Sequence, residues 1–264
     1  MKIAYTINGI IGGLAGKNSE QNNPDLVSKL AEFSYKSIDK NILKNNDVDI
    51  FLFSWHKDKQ KELEEIYKPK KSLFMKQINF DVPAHLEGKN PPRVQAHYSR
   101  WYGFNEVMKL RQEYEKENNI KYDLVVNARF DLYWNHPINF SEFDINGIHF
   151  PYMLYSTWGW PHHAPELLDH IITASPKNMD VLISLYDKLD EYTAPDSGCR
   201  QWNSISHHFM IPHHLKQLGL LNLDTIKFSF KNCFDLDDIK ASYSIIKYKK
   251  KTIEDILKEL KSEK

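Results

Sequence analysis

The chain has 264 residues, 41% of them hydrophobic, which is enough for one large α/β domain or two small ones with a real core. Its 35 basic and 35 acidic residues cancel, and no Lys/Arg stripe runs through the body of the chain, which argues against a nucleic-acid partner. No apolar run approaches the ~20 residues needed to cross a bilayer, and Cys199 and Cys233 make no disulfide framework, so a cytosolic protein is expected, one that meets any membrane-borne substrate from the cytosolic face.

The chain opens with a short strand, 2–7, followed by a glycine-rich loop, 8–22, that holds Gly9, Gly12, Gly13 and Gly16. Asn23-Pro24 reads as a helix start, with Asn as cap and Pro in the first turn. Leu26, Leu30, Phe33 and Ser37 then fall on one face of that helix, beside Val27, Ala31 and Ile38. The run 47–55 is compact, aromatic and β-branched, as expected of a buried strand. A charged helix is expected over 57–67, and an irregular stretch over 68–98, where Pro69, Pro83, Pro91 and Pro92 fall.

A helix over 101–118 turns Phe104, Val107, Met108 and Leu110 inward, and a second buried strand follows over 121–131. Further elements are a strand over 147–152, a helix from Ser175-Pro176 to Tyr192, a helix over 203–218 stopped by Gly219, a strand over 225–230 and a short amphipathic helix over 252–260. Strands alternate with helices, which predicts a mostly parallel sheet covered on both faces. Ligands of such sheets bind beyond the carboxyl ends of the strands, so the loops after Ile7, Phe53 and Val126 are the places to search.

The third of these is the most informative. A strand buried on both faces should end in turn residues, yet this one ends in Asn127, Arg129 and Asp131, which alternation places on one side. A carboxylate there can bind Mg²⁺ or Mn²⁺, and an Arg beside it can neutralise phosphate by bidentate bonds. The same pair can equally be an ion bridge that closes the strand end, and spacing alone leaves both readings open.

The opening Lys2-Ile3-Ala4 strand, the run from Asn45 to Phe51 ending in Trp55, the helix from Trp101, and Tyr122–Val126 with Arg129-Phe130-Asp131 occur in that order. Over roughly residues 1–220 this resembles a group of GT-A-like glycosyltransferases from bacterial surface-polysaccharide clusters and large viruses, in which an Arg-x-Asp element stands where better-known GT-A enzymes have Asp-x-Asp. The resemblance implies a single GT-A-like domain over 1–245, followed by a basic helical tail over 246–264. It also implies a nucleotide-sugar donor held by Asn8, Gly9, Asp49, Trp55, Asn127, Arg129 and Asp131. Asp131 would meet a divalent metal or the donor phosphates. Arg129 in place of the first acid puts metal dependence in question, and the loop after the first strand lacks the Arg that many relatives carry, leaving backbone N–H groups or Lys17 for the phosphates.

Other residues carry two readings each. The glycines of 9–16 allow close backbone approach to a ligand, but their spacing is neither a dinucleotide fingerprint nor a P-loop, and a plain surface loop has the same composition. Trp55 can stack on a base or close the core edge. The loop around Trp158, Trp160, His162 and His163 offers an acceptor platform for a glycan, or rings that plug the domain edge. Asp169 is the candidate base for the acceptor hydroxyl, against a solvent-facing role. The resemblance implies that His207 or His208, His207 before His208, joins Asp131 on a metal; the spacing of His207, His208, His213 and His214 by itself makes no zinc helix and fits ordinary helix-surface groups. Lys247–Lys251 is the one densely basic run, and the acids of the final helix favour a solvated role over lipid binding. The expected function is sugar transfer from a nucleotide-sugar to a glycan or other hydroxyl acceptor; the competing reading is a non-catalytic carbohydrate binder on the same fold.

Overall fold

The computed structural model describes residues 1–11, 24–88, 91–151, 167–199, 205–231 and 241–245. Nine strands and six α-helices are described: β1 (Lys2–Gly9), α1 (Pro24–Asn41), β2 (Asp47–Ser54), α2 (Gln60–Tyr67), β3 (Lys71–Phe74), α3 (Pro91–Asn118), β4 (Leu124–Arg129), β5 (Leu132–Trp134), β6 (Ile148–Pro151), β7 (Ile171–Ala174), α4 (Pro176–Ile183), α5 (Leu189–Thr193), α6 (His207–Gln217), β8 (Ile226–Phe230) and β9 (Tyr243–Ile245). Seven strands form one sheet in the order β3-β2-β1-β4-β7-β6-β8, and β5 pairs with β9 in a small second sheet. Only β7 runs against the other strands of the main sheet; it is antiparallel to both β4 and β6. The fold is therefore α/β with a mostly parallel sheet, as expected from the alternation of elements.

Side-chain alternation sorts the core into two layers. Ile3, Tyr5 and Ile7 of β1, with Leu124, Val126 and Ala128 of β4, face Val27, Leu30, Ala31 and Phe33 of α1. On the other face Phe51 and Phe53 of β2 and Val125 of β4 meet Trp101, Phe104, Val107 and Met108 of α3. Ala4 lies on that second face, so alternation puts Thr6 and Asn8 there as well, beneath α3.

Two departures from the sequence expectations matter for the site. Pro91 and Pro92 do not interrupt the chain; they are the first two residues of α3, where a missing N–H costs no helical bond. α3 thus begins ten residues before the expected start and includes Arg100. The second departure is β7, four fully buried residues in a stretch where no element was expected. Elsewhere β3 falls within the stretch expected to be irregular, and the helix expected over 175–192 is divided into α4 and α5. The tail over 246–264 and the helix expected within it lie outside the described residues.

α3 reaches the sheet closely because residue 103 is Gly. A Cβ there would lie 3.0 Å from two ring carbons of Phe53 and 3.3 Å from Asn8 Nδ2. Phe53 is fully buried and braced edge-on by Trp55 and Tyr102, so it has little room to yield. Gly103→Val is therefore expected to destabilise the protein by about 1–3 kcal/mol through overpacking. A lower urea midpoint at unchanged slope would show it; an unchanged midpoint would mean that α3 can shift freely.

Candidate functional site

Between β1 and β4 the strand order reverses: β2 and β3 extend the sheet on one side, and β4, β7, β6 and β8 extend it on the other. Ligand crevices of open α/β sheets form at such a reversal, beyond the carboxyl ends of the strands. β1 ends there in Asn8 and Gly9, and β4 in Asn127 and Arg129, with Asn8 paired directly opposite Arg129. Gly9 has φ +116, which only glycine adopts without strain, and nothing lies within 4 Å of where a Cβ would stand.

A polar network fills the space beneath α3. Asn127 Nδ2 donates to Thr6 Oγ1 and Asn8 Oδ1, at 2.9 Å each. Arg100 of α3 donates from Nη1 to Asn8 Oδ1 (2.8 Å), from Nη2 to Asn127 Oδ1 (3.2 Å) and the Asp169 carbonyl (2.8 Å), and from Nε to Asp169 Oδ2 (3.1 Å). Asn8 and Asn127, both buried, thus hold Arg100 rather than face a ligand. The reversed direction of β7 brings Asp169 into this group: the residues preceding β7 lie beside the carboxyl end of β4, with Ile171 paired to Ala128 and Arg129 N donating to the His170 carbonyl (3.2 Å).

A proline anchors the Asp169 segment. Pro212 lies inside α6 and has no N–H, so the His208 carbonyl loses its helical donor. That carbonyl instead accepts from Leu167 N at 3.1 Å, tying 167–170 to α6.

The Arg129–Asp131 pair stands at the rim. Arg129 Nε and Nη2 donate to the two oxygens of Asp131 at 2.8 and 2.6 Å, a bidentate fork. The intervening Phe130 is buried on the α1 side, edge-on to Tyr67, so the two charged neighbours are turned away from that core. The side chains of Arg129 and Asp131 keep 25% and 15% exposure. Arg100 is coupled electrostatically to both, which joins the rim pair and the buried network into one site.

Charge in the site is governed by burial. Burial drives His170 and His207 down to about 3 and His97 well below its ordinary value. For Asp169, burial favours the neutral acid, but the opposing charges of His207, Arg100, His208 and His170 outweigh it and hold the carboxyl well below the usual range. His170 and His207 are uncharged at neutral pH, so Arg100 is the cation among these that keeps Asp169 ionised there. Asp169 is only 4% exposed. Buried and paired, it is a poor proton acceptor in this arrangement, whereas the sequence expectation was a general base.

These three imidazoles make a pH prediction. With folded values below the unfolded 6.5, the native state binds fewer protons than the unfolded chain at mildly acid pH. Their stabilisation is complete above that value and is lost as pH falls below it, down to about 3 for His170 and His207. Unfolding free energies from urea titrations should therefore drop between pH 7 and pH 5, by up to about 1.4 kcal/mol per imidazole per pH unit. A flat profile over that range would mean that the rings are not buried as neutral groups.

The remaining sequence candidates divide. Asp49 is corrected: it sits opposite Ala4, five residues or roughly 17 Å before the strand end at Ser54. Its carboxylate is taken by Tyr122 OH (2.8 Å), Lys2 (3.3 Å) and Lys70 (3.5 Å), a structural cluster at the far edge of the sheet. Trp55 is also corrected. It is 3% exposed and packed among Phe53, Phe80 and Tyr102, so it presents no face to a ligand. His207 begins α6, stacked on His97 at 4.4 Å, and feels Asp169, Arg100 and Arg129. Trp158, Trp160, His162, His163, Gly12, Gly13, Gly16, Lys17 and Lys247–Lys251 lie outside the described residues.

Among the described residues no three His, Cys, Asp or Glu side chains converge as a metal ligand set. Both oxygens of Asp131 lie in the Arg129 fork, and Arg100 adds a second positive charge. This donor set suits an anion and fits a divalent cation poorly. Among the described residues no helix is long and apolar enough to cross a membrane.

No model of a known protein family matches the chain, and no curated protein matches it in sequence. Fold and site together define a class: an α/β protein with a mostly parallel sheet that gathers two arginines and two aspartates where its strand order reverses.

Proposed function

We propose that the protein is a glycosyltransferase that moves a sugar from a nucleotide-sugar donor to a hydroxyl of a glycan acceptor, in the synthesis of a surface polysaccharide or glycoconjugate. The observation that carries this reading is the pair of guanidinium groups, Arg100 and Arg129, at the carboxyl ends of the two strands flanking the reversal. Nucleotides bind at that place in open sheets, and guanidinium forks match phosphoryl oxygens. In the transfer, the acceptor oxygen bonds to the anomeric carbon as the bond from that carbon to the phosphate oxygen breaks. The electron pair leaves with the phosphate, and the hydroxyl proton passes to solvent. Negative charge therefore grows on the leaving group, where fixed cations lower the barrier.

One observation favours the alternative, a carbohydrate- or nucleotide-binding protein without turnover. Both site carboxylates are engaged by arginine, Asp131 in a fork and Asp169 in the buried network. A thermal-shift screen of UDP-, GDP-, CMP- and dTDP-sugars, with and without Mn²⁺, tests the donor. A true ligand at a hundred times its Kd adds about 2.7 kcal/mol of stability, a shift of a few degrees. No shift with any of them rejects the transferase. A shift without release of free nucleotide in the presence of glycan acceptors favours the binding protein.

A further inference from the structure

We infer that Arg100 is a ligand-binding residue of this site, taking a phosphoryl oxygen together with Arg129, and that Asp169 is the positioning residue that presents it. The identification of the anion as part of a nucleotide-sugar rests on the glycosyltransferase reading.

A guanidinium has five N–H groups in one plane. Four of those of Arg100 are taken: Nε by Asp169 Oδ2, Nη2 by the Asp169 carbonyl and Asn127 Oδ1, and one on Nη1 by Asn8 Oδ1. The fifth, also on Nη1, has no hydrogen-bond partner among the described residues. Its position follows from the register. Nη1 is bonded to Asn8, and Asn8 is the strand partner of Arg129, so the spare donor stands at the carboxyl end of β1, beside the strand that carries the rim fork, and Arg100 feels the charge of Arg129.

The arrangement is costly unless something uses it. Burial and the nearby Arg129 both work against the charge on Arg100, and Asp169 is what restores it. Asp169 grips the guanidinium twice, through a carboxylate oxygen and its own carbonyl, from a segment tied to α6 by the carbonyl that Pro212 leaves vacant. Asn8 and Asn127 fix the other end. Every hold orients the plane of Arg100, and none uses its last donor. An anion bridging Arg100 and Arg129 would satisfy that donor and relieve the repulsion between the two cations. A diphosphate, with oxygens on two linked phosphorus atoms, spans such a pair better than a carboxylate does.

The test is titration calorimetry of the whole protein with inorganic pyrophosphate, UDP and GDP, on wild type, Arg100→Lys and Asp169→Asn, with thermal melts to establish folding. Arg100→Lys keeps the charge but loses the planar fork, and pyrophosphate affinity should fall at least tenfold. Asp169→Asn is nearly isosteric and should weaken binding severalfold. Wherever transfer is measurable, that variant should raise KM while keeping the pH profile of kcat. A general base would behave oppositely: kcat would collapse, its pH-dependent limb would vanish and affinity would hold. That result overturns the positioning role. A folded Asp169→Asn or Arg100→Lys that binds pyrophosphate as wild type does also overturns the inference, as does a wild type that binds no pyrophosphate. Binding of pyrophosphate but of no nucleotide refutes the nucleotide-sugar reading alone and leaves the variants to decide this one.

Discussion

Arg129→Ala is expected to lower the affinity for the best-binding nucleoside diphosphate by roughly 10- to 100-fold, which corresponds to the loss of one or two charge-assisted hydrogen bonds at about 1.5–3 kcal/mol in total. Arg129 is the more exposed of the two site arginines, and Asp131, two residues on, holds it in a bidentate fork. The substitution also leaves the Asp131 carboxylate facing the incoming phosphate, so repulsion adds to the lost attraction. Arg129→Lys should recover only part of the loss, because an ammonium reproduces the charge but not the bidentate geometry. Titration calorimetry with UDP and GDP measures both. The competing role, an ion bridge that closes the strand end, predicts a lower melting temperature with unchanged nucleotide affinity. A folded Arg129→Ala with wild-type affinity would remove the rim from the binding site.

The largest effect on stability is expected at Arg100. Arg100→Met removes the cation that keeps Asp169 ionised, takes the Arg100 donors from Asn127 Oδ1 and from Asp169, and leaves Asn8 Oδ1 with one donor fewer, that of Asn127 Nδ2 remaining. The side chains of the ion pair are 11% and 6% exposed, so little solvent screens the damage. Breaking a buried pair from one side costs about 3–5 kcal/mol. Arg100→Met combined with Asp169→Asn should cost clearly less than the sum of the single changes, because the second removes the stranded charge. Urea denaturation of the four proteins completes the cycle. Additive losses would show that the two groups are not coupled, and the network described above would then be a collection of independent contacts.

Some of this architecture could be read directly from residues near one another in the chain. The apolar runs at 47–55 and 121–131 become β2 and β4, because a short, β-branched, aromatic run has no stable place other than a covered sheet. Ser175-Pro176 opens α4, with the Ser175 side chain accepting from Asn178 N at 3.4 Å. Gly219, at φ +70, ends α6, where Leu220 N returns to the Leu215 carbonyl at 2.8 Å. Arg129 and Asp131 were legible as a charged interruption at the end of an apolar run.

Arg100 was not legible in this way. It precedes the expected helix start at Trp101, and the prolines at 91 and 92 read as breakers, although at a first helical turn they are compatible with a helix. Nothing local marks one arginine as buried; its burial is set by acceptors on Asn8, Asn127 and Asp169, which are 92, 27 and 69 residues away. A proline pair followed by an amphipathic run is the signal that could have moved the helix start forward.

The sequence by itself determined the alternation of strands and helices, the placement of the first and fourth strands in a doubly covered sheet, and the presence of polar residues at their carboxyl ends. Those features depend on local propensity and on burial periods of two and 3.6 residues, which neighbouring side chains specify. Only the tertiary structure decided which of these residues share a site. β7 is four buried residues too short to announce its direction, and running antiparallel it delivers Asp169 to Asn127 and Arg100. The register of β1 on β2 sends Asp49 to the far edge, and packing by Phe53, Phe80 and Tyr102 closes Trp55 into the core. Strand order, register and direction are set by contacts between distant segments, whose free energies no window of the sequence contains.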